Sequence, residues 1–231
     1  MRITTDINRG FSETLRIKEI ISNHGFICGG YARWMISPRI NPVPPADIDI
    51  YAYSINGYDT IRRNIEQFYG IPIKFESARA ITYDNQNLKI NIDPKLRVLP
   101  PIQLIKPLEG MVSTDPNEVV DKFDFTVIRC WYDANDGVVN HDTEFMKDEA
   151  SLRLRIKNIH CPFTSLRRCI KYTKRGYKLL FEEMIKIFED YAGRPESYKN
   201  ECKELISRIS NVGEDVSPAD LSVLQRLFYV D

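Results

Sequence analysis

Residues 26–51, FICGGYARWMISPRINPVPPADIDIY, restrict the fold more than any other stretch of this chain. An apolar strand candidate, Phe26-Ile27-Cys28, runs into Gly29-Gly30, and YARWMIS after it has helical spacing. The next segment, SPRINPVPPA, holds four prolines and must be a loop. DIDIYAYS then alternates like a strand. In a strand, residues i and i+2 face the same side. Asp47 and Asp49 therefore project together, with Ile48 and Ile50 on the other face.

Two carboxylates held close repel each other unless a cation sits between them. Mg²⁺ suits such a pair, because it binds one or two carboxylates and takes its remaining ligands from water and substrate phosphates. The glycines let the backbone come close to a triphosphate, and their N–H groups are potential donors. Strand, Gly-Gly turn, helix, loop and paired carboxylates in this order point to a two-metal phosphoryl-transfer site. Taken singly, a DxD or a Gly-Gly is more often an ordinary surface turn or strand edge.

The chain has 231 residues, 43% hydrophobic and 28% charged, enough for a packed core. No run approaches the ~18–20 apolar residues of a membrane helix, and MRITTDINRG has no apolar signal region. Cys28, Cys130, Cys161, Cys169 and Cys202 are scattered without a CxxC. That usage fits reduced thiols in a cytoplasm, whether a cell's own or that of a virus-infected host, better than a disulfide framework or a zinc site. His24, His141 and His160 are too dispersed for a metal motif.

Elsewhere, residues 11–23 and 59–70 read as helices and IKFESARAITY, LKINI and IQLIKP as strands. DPNEVVDKF reads as a short helix capped by Asp115 with Pro116 in its first turn. FTVIRCWYD reads as a strand ahead of the Asp136-Gly137 turn. From about residue 163 the period is helical, with breaks near Gly193-Arg194-Pro195 and Gly213. The expected organisation is α+β: a head of mixed β-sheet with flanking helices over 1–150, then an all-helical neck and small bundle over 151–231. In that tail Leu179, Leu180, Met184, Ile187, Phe188, Leu205, Ile206, Ile209, Leu221, Leu224, Leu227 and Phe228 pattern as core. Trp34, Trp131 and Cys28 read as packing residues.

GG-x-x-R followed by DxD resembles the head signature of the polymerase-β nucleotidyltransferase superfamily. The form GGYAR is most similar to class II CCA-adding enzymes and bacterial poly(A) polymerases. Residues 122–139, KFDFTVIRCWYDANDGVV, resemble that family's RRDFTxNAxAYD segment and the DG turn after it. Residues 161–177, CPFTSLRRCIKYTKRGY, more loosely resemble its neck helix. The resemblance implies that Asp47 and Asp49 hold metal and that Gly29 and Gly30 lie beside the triphosphate. It implies phosphate contact or support of the metal strand for Arg33. Asp124 would place the ribose and incoming nucleotide, and Arg168 and Lys171 would contact nucleotide or primer. Other branches carry a third carboxylate on a neighbouring strand. Here IQLIKP offers Gln103, leaving Asp124 or Asp93 as candidates.

The chain departs from that pattern at several points. Lys122-Phe123 replaces the paired arginines, Ile128 stands where the family has asparagine, and His160-Cys161-Pro162 lacks the acidic start of the neck. These departures argue against a C, C, A addition programme and leave metal-assisted nucleotidyl transfer.

Formal net charge is zero, from 32 cations and 32 anions. Residues 151–181, however, hold nine cations and no acid, and the remaining residues hold 23 cations against 32 anions. Arg167, Lys171, Lys174 and Lys178 are spaced as one helix stripe with Arg168 and Arg175 beside it, and Tyr172 and Tyr177 are interleaved where they could stack on bases. Either this is a solvated face paired with acids elsewhere, or it is a dock for an anionic partner. The expected activity is Mg²⁺-dependent transfer of NMP from an NTP to an acceptor hydroxyl, with an RNA 3′ end preferred. Nucleotidylation of a protein, synthesis of a nucleotide signal, and a non-catalytic binding protein retaining the fold are the rivals.

Overall fold

The strand that leads into the Gly-Gly turn lies against the strand that carries the aspartates. A computed structural model describes residues 2–6, 11–37, 45–85, 99–107 and 114–212. In it β2 (Gly25–Cys28) and β3 (Ile48–Ala52) pair antiparallel, with Cys28 opposite Asp49. Gly25 makes this pairing possible. A Cβ there would lie 2.2 Å from the Tyr51 carbonyl oxygen and 2.7 Å from Ile61 Cδ1.

Around this pair an eight-stranded mixed sheet forms in the order β1-β8-β7-β2-β3-β6-β5-β4. Its other strands are β1 (Arg2–Asp6), β4 (Ile73–Glu76), β5 (Ala80–Tyr83), β6 (Ile102–Ile105), β7 (Cys130–Asp133) and β8 (Val138–Asp142). The β3–β6 pairing is parallel and the others are antiparallel. β4 closes one edge with all four residues exposed and a register irregularity between Ile73 and Phe75.

Period-2 alternation divides the buried residues between two faces. Ile27, Ile48, Ile50 and Leu104 join one core with residues of α1 (Phe11–Ile21), α2 (Gly30–Ile36) and α3 (Ile55–Arg63). On the opposite face Phe26, Cys28 and Trp131 pack with Val119 and Val120 of α4 (Pro116–Asp121), and Tyr51, Tyr53 and Phe123 lie against them. Each large apolar side chain buried this way contributes ~1.5–3 kcal/mol.

Several sequence expectations change. α3 starts earlier than expected, because the Ser54 hydroxyl accepts the Gly57 N–H at 3.0 Å as its cap. It runs on into a π-helical turn at Asn64–Phe68. IKFESARAITY is a hairpin rather than one strand. The Ser77 hydroxyl accepts N–H groups from Arg79 and Ala80 at 3.2 and 3.0 Å and folds the chain back. In FTVIRCWYD only Cys130–Asp133 is strand, and Thr126–Ile128 is a tight helical turn. Asp115 caps α4 as expected, accepting from the Asn117 N–H at 2.8 Å. β1, β8 and α5 (Thr143–Ala150) were not anticipated. LKINI, Asp93 and the tail beyond 212 lie outside the described residues.

The chain divides into two compact units, Met1–Ser151 and Leu152–Asp231. The second unit contains α6 (Pro162–Thr173), α7 (Phe181–Gly193) and α8 (Glu196–Val212). It is not wholly helical: β9 (Arg153–Leu154) and β10 (Lys178–Leu179) pair as a short parallel ribbon. Its interior includes a charged group. Glu183 is 2% exposed and accepts the Ile156 N–H and the Lys186 ammonium, both at 2.8 Å. Ile187 is buried as the sequence suggests, but Leu180 and Phe188 are exposed, as is Phe181. α7 thus turns part of its apolar set outward.

Gly25→Ala is expected to destabilise the first unit by about 1–3 kcal/mol through overpacking against Tyr51 and Ile61. A urea titration checks this, and a change below about 0.5 kcal/mol would show that the β2–β3 approach is not tight.

Candidate nucleotide site

Gly29 leaves β2 with φ +72°, a left-handed conformation that favours glycine, and starts α2. Its carbonyl accepts the first helical bond from the Arg33 N–H at 2.9 Å. Its own N–H donates to the Cys130 carbonyl of β7 at 3.0 Å. Of the two glycine amides expected to face phosphate, that of Gly29 is therefore used inside the fold. A Cβ on Gly29 would meet the Phe123 ring at 3.3 Å, and one on Gly30 would meet Pro45 Cβ at 3.5 Å. The turn is thus bounded by Phe123 on one side and by the end of the proline-rich loop on the other.

Asp47 is exposed and immediately precedes β3, while Asp49 is half-buried within it. Cys28 of β2 and Gln103 of β6 stand in register with Asp49 on either side, and Thr82 of β5 stands in register with Gln103. Paired residues of neighbouring strands share a face. Asp49 is thus flanked by neutral groups. Farther along the same face are Tyr51 and Tyr53, whose rings lie 5.5 and 5.0 Å from that of buried Phe26. Burial, then the nearby Asp133 carboxylate, pushes the Tyr53 phenol well above its ordinary range, so it stays neutral at physiological pH. Gly29, Gly30, Asp47 and Asp49 are brought to one end of the β2–β3 pair.

Arg33 goes elsewhere. It is 1% exposed, and its Nη1 lies 3.6 Å from Glu149 Oε1 on α5, itself buried. Of the two roles that the resemblance implied for Arg33, phosphate contact or support of the metal strand, this burial against a carboxylate inside the head accords better with support. The neighbouring residue of α5, Asp148, is fully buried and accepts a hydrogen bond from Thr126 Oγ1 at 2.7 Å. α5 therefore ties together the helix after the Gly-Gly turn and the DFT segment. The sequence reading missed Asp148 and Glu149, because nothing local distinguishes KDEA from a solvated helix end. Asp124, in the same segment, is buried at 3% exposure.

In the second unit Arg167, Lys171 and Lys174 are exposed on or just past α6, while Arg168 and Arg175 are half-buried. Lys178 is not on the helix. α6 ends at Thr173, the chain turns through Gly176 at φ +92°, and Lys178 lies on β10. Tyr172 and Tyr177 are not open stacking surfaces, being 5% and 3% exposed and packed edge-to-face at 5.4 Å. Arg175 lies over the Tyr172 ring at 5.7 Å, and Arg153 pairs with Glu182 at 2.8 Å.

A protein-family comparison matches residues 3–152, about two-thirds of the chain, to the Gabija anti-defense 2 (Gad2) family. The chain belongs to the Gad2 family. No curated protein matches it. Among solved structures, the Gad2 chain is similar to the Thermotoga maritima CCA-adding enzyme complexed with tRNA, with TM-score 0.60 and 15% identity over 100% of this chain and 55% of that one. A CCA-adding enzyme complexed with CTP gives TM-score 0.58 and 16% identity over 100% and 56%. A complex of a CCA-adding enzyme with ATP gives 0.57 and 12% over 98% and 67%. The likeness is one of fold: the head has the nucleotidyltransferase fold expected from GGYAR and DxD. The chain spans little more than half the length of the first two enzymes.

Among the described residues no group of three or more His, Cys, Asp or Glu side chains is placed to hold a metal. Asp47 and Asp49 are two carboxylates, the number with which a protein can hold Mg²⁺ when water and phosphate supply its other ligands.

Replacing Glu149 with leucine leaves the buried Arg33 charge without that carboxylate and is expected to cost about 3–5 kcal/mol. The double variant Arg33→Met/Glu149→Leu should recover most of the loss. Urea unfolding of the two variants checks this, and a single-variant cost below about 1 kcal/mol would remove the pair as an anchor of α2.

Proposed function

We propose that this Gad2 protein is a metal-dependent nucleotidyltransferase that moves NMP from an NTP to an acceptor hydroxyl, with an RNA 3′ end as the preferred acceptor. One observation carries the reading. Within a nucleotidyltransferase fold, Asp47 and Asp49 lie at the end of β3 where its partner β2 enters the Gly-Gly turn. The fold neighbours include complexes with CTP, with ATP and with tRNA.

Asp47 and Asp49 would hold Mg²⁺, which when bound supplies charge neutralisation at the triphosphate and lowers the pKa of the attacking hydroxyl. The chain's own residues set the geometry. The half-buried Asp49 is fixed by its place between β2 and β6, whereas exposed Asp47 is open to solvent and substrate. The Gly29-Gly30 turn contributes no side chain of its own between Phe123 and Pro45, which lets the phosphates approach its backbone. Arg33 and Glu149 hold α2 behind that turn. The exposed cations Arg167, Lys171 and Lys174 give an anionic acceptor a docking surface in the second unit.

A protein acceptor is the second reading. Burial of Tyr172 and Tyr177 removes the stacking surface on which base recognition would rest, and the family's anti-defense description makes a defence protein a reasonable acceptor to test beside RNA.

Incubating the protein with α-labelled NTPs, Mg²⁺ and either RNA or cell protein should place label on the RNA. Asp47→Asn and Asp49→Asn should each lower transfer by about 10³-fold while leaving the melting temperature little changed. Label on protein alone would move the acceptor to a side chain. If neither acceptor is labelled and both variants bind Mg²⁺-NTP like the parent chain, the catalytic reading fails.

RNA affinity should fall steeply with salt, and Arg167→Ala, Lys171→Ala and Lys174→Ala should each reduce the slope of log K against log salt by about 0.7–1. A slope unchanged in all three variants would place the RNA elsewhere.

A further inference from the structure

We infer that Phe75 is a stacking platform for a single-stranded RNA acceptor, set on the Asp49 face of the sheet by the irregularity in β4. This rests on the nucleotidyltransferase reading and extends it to how the acceptor is held. Ile73 of β4 pairs with Tyr83 of β5, and even antiparallel pairing from there would bring Phe75 opposite Ile81. Ile81 is fully buried in the core that includes residues of α1 and α3, so the ring would belong to that face. Instead the register shifts between Ile73 and Phe75, and Phe75 stands opposite Thr82. Thr82 pairs with Gln103 of β6, and Gln103 pairs with Asp49 of β3. Paired residues share a face, so one row runs Asp49, Gln103, Thr82, Phe75. A bulge can re-aim a side chain in this way.

The end of that row suits a nucleic-acid base. The Phe75 ring is 56% exposed on the outermost strand. Exposed Lys74 precedes it at the irregularity and supplies a cation for phosphate. Glu76, the next acid in the chain, pairs with Ile81 and so belongs to the other face, and Lys106 holds it at 2.6 Å. An aromatic face with a neighbouring cation stacks bases without reading their sequence. A protein segment would gain nothing from the alignment of the ring with Asp49, whereas an RNA whose 3′ end lies at Asp49 can run along the row. Three strand spacings of ~4.8 Å put Phe75 about 14 Å from Asp49. A single strand stacked at ~3.4 Å per nucleotide spans that gap in about four nucleotides. Short acceptors therefore miss the ring and longer ones reach it.

Transfer from α-labelled ATP to a trinucleotide and to a dodecanucleotide RNA, measured on the full chain as the KM for each acceptor, tests this. The parent chain should prefer the longer acceptor. Phe75→Ala, with unchanged circular dichroism, should lose about tenfold of that preference through KM rather than kcat. Phe68→Ala removes a ring that is 80% exposed on the π-helical turn and should keep the preference. In Phe75→Trp the added indole emission should be quenched by the dodecanucleotide and not by the trinucleotide. Equal losses in Phe75→Ala and Phe68→Ala, or a Phe75→Trp signal that responds only to protein, would overturn the inference. A parental length preference in Phe75→Ala would overturn it while leaving the nucleotidyltransferase reading standing. Quenching of Phe75→Trp by RNA in a chain that labels no acceptor would overturn that reading and keep the RNA contact. Neither transfer nor quenching would overturn both.

Discussion

The register of β2 against β3 is the constraint on which the rest of the head depends. Cys28 pairs with Asp49, and Gly25 passes within touching distance of the Tyr51 carbonyl. A slip of one residue would turn Asp49 into the apolar core and bring Ile50 out, because the side-chain period is two. Burial of Ile48 and Ile50 among the helices of the other face makes that slip costly. The same apolar residues that drive the sheet to pack therefore fix where its carboxylate points. Folding and site placement are one event in this strand pair.

Behind the site, charge is held inside the protein. Arg33 and Glu149 face each other with almost no solvent access, and Asp148 accepts the Thr126 hydroxyl nearby. Desolvating such groups is expensive, and their mutual attraction can do little more than compensate. What the arrangement provides is a penalty for separating the charges. The opposite charges face each other at 3.6 Å, so displacing α5 along α2 would separate two buried charges, whereas an apolar pair there would permit sliding. The buried Glu183 in the second unit joins α7 to the segment ahead of α6 by similar means, through the Ile156 N–H.

Much of the head was legible because its determinants are local. Alternation revealed β3, which carries Asp49 and is immediately preceded by Asp47. The Gly-Gly turn and the Asp115-Pro116 start of α4 carry their own backbone signatures. The hairpin at Ser77 was hidden because its turn is built by a serine hydroxyl, without the glycine or proline that marks such a reversal. Which of its two expected roles Arg33 follows could not be read locally, because the fate of an arginine depends on its partner, and Glu149 lies far along the chain. The basic stripe was overextended because charge spacing alone does not record that Gly176 ends the helical path before Lys178. Tyr172 and Tyr177 read as polar platforms until their mutual packing placed them inside. In each case a long-range contact or a single backbone reversal overrode a pattern that was locally sound.

The irregular spacing in β4 has a consequence for the chain as a material. An eight-stranded sheet presents its outermost strand as a template on which further strands can grow, and repeated growth of that kind ends in fibres. β4 is exposed along its whole length and includes Ile73 and Phe75, so its composition would invite such growth. The register shift between those two residues breaks the even spacing that an incoming strand would have to match. The edge also carries Glu76, held by Lys106 at 2.6 Å, which adds charge beside the aromatic. A one-residue irregularity far from the aspartates thus takes away the even template that the apolar border of a wide sheet would otherwise offer.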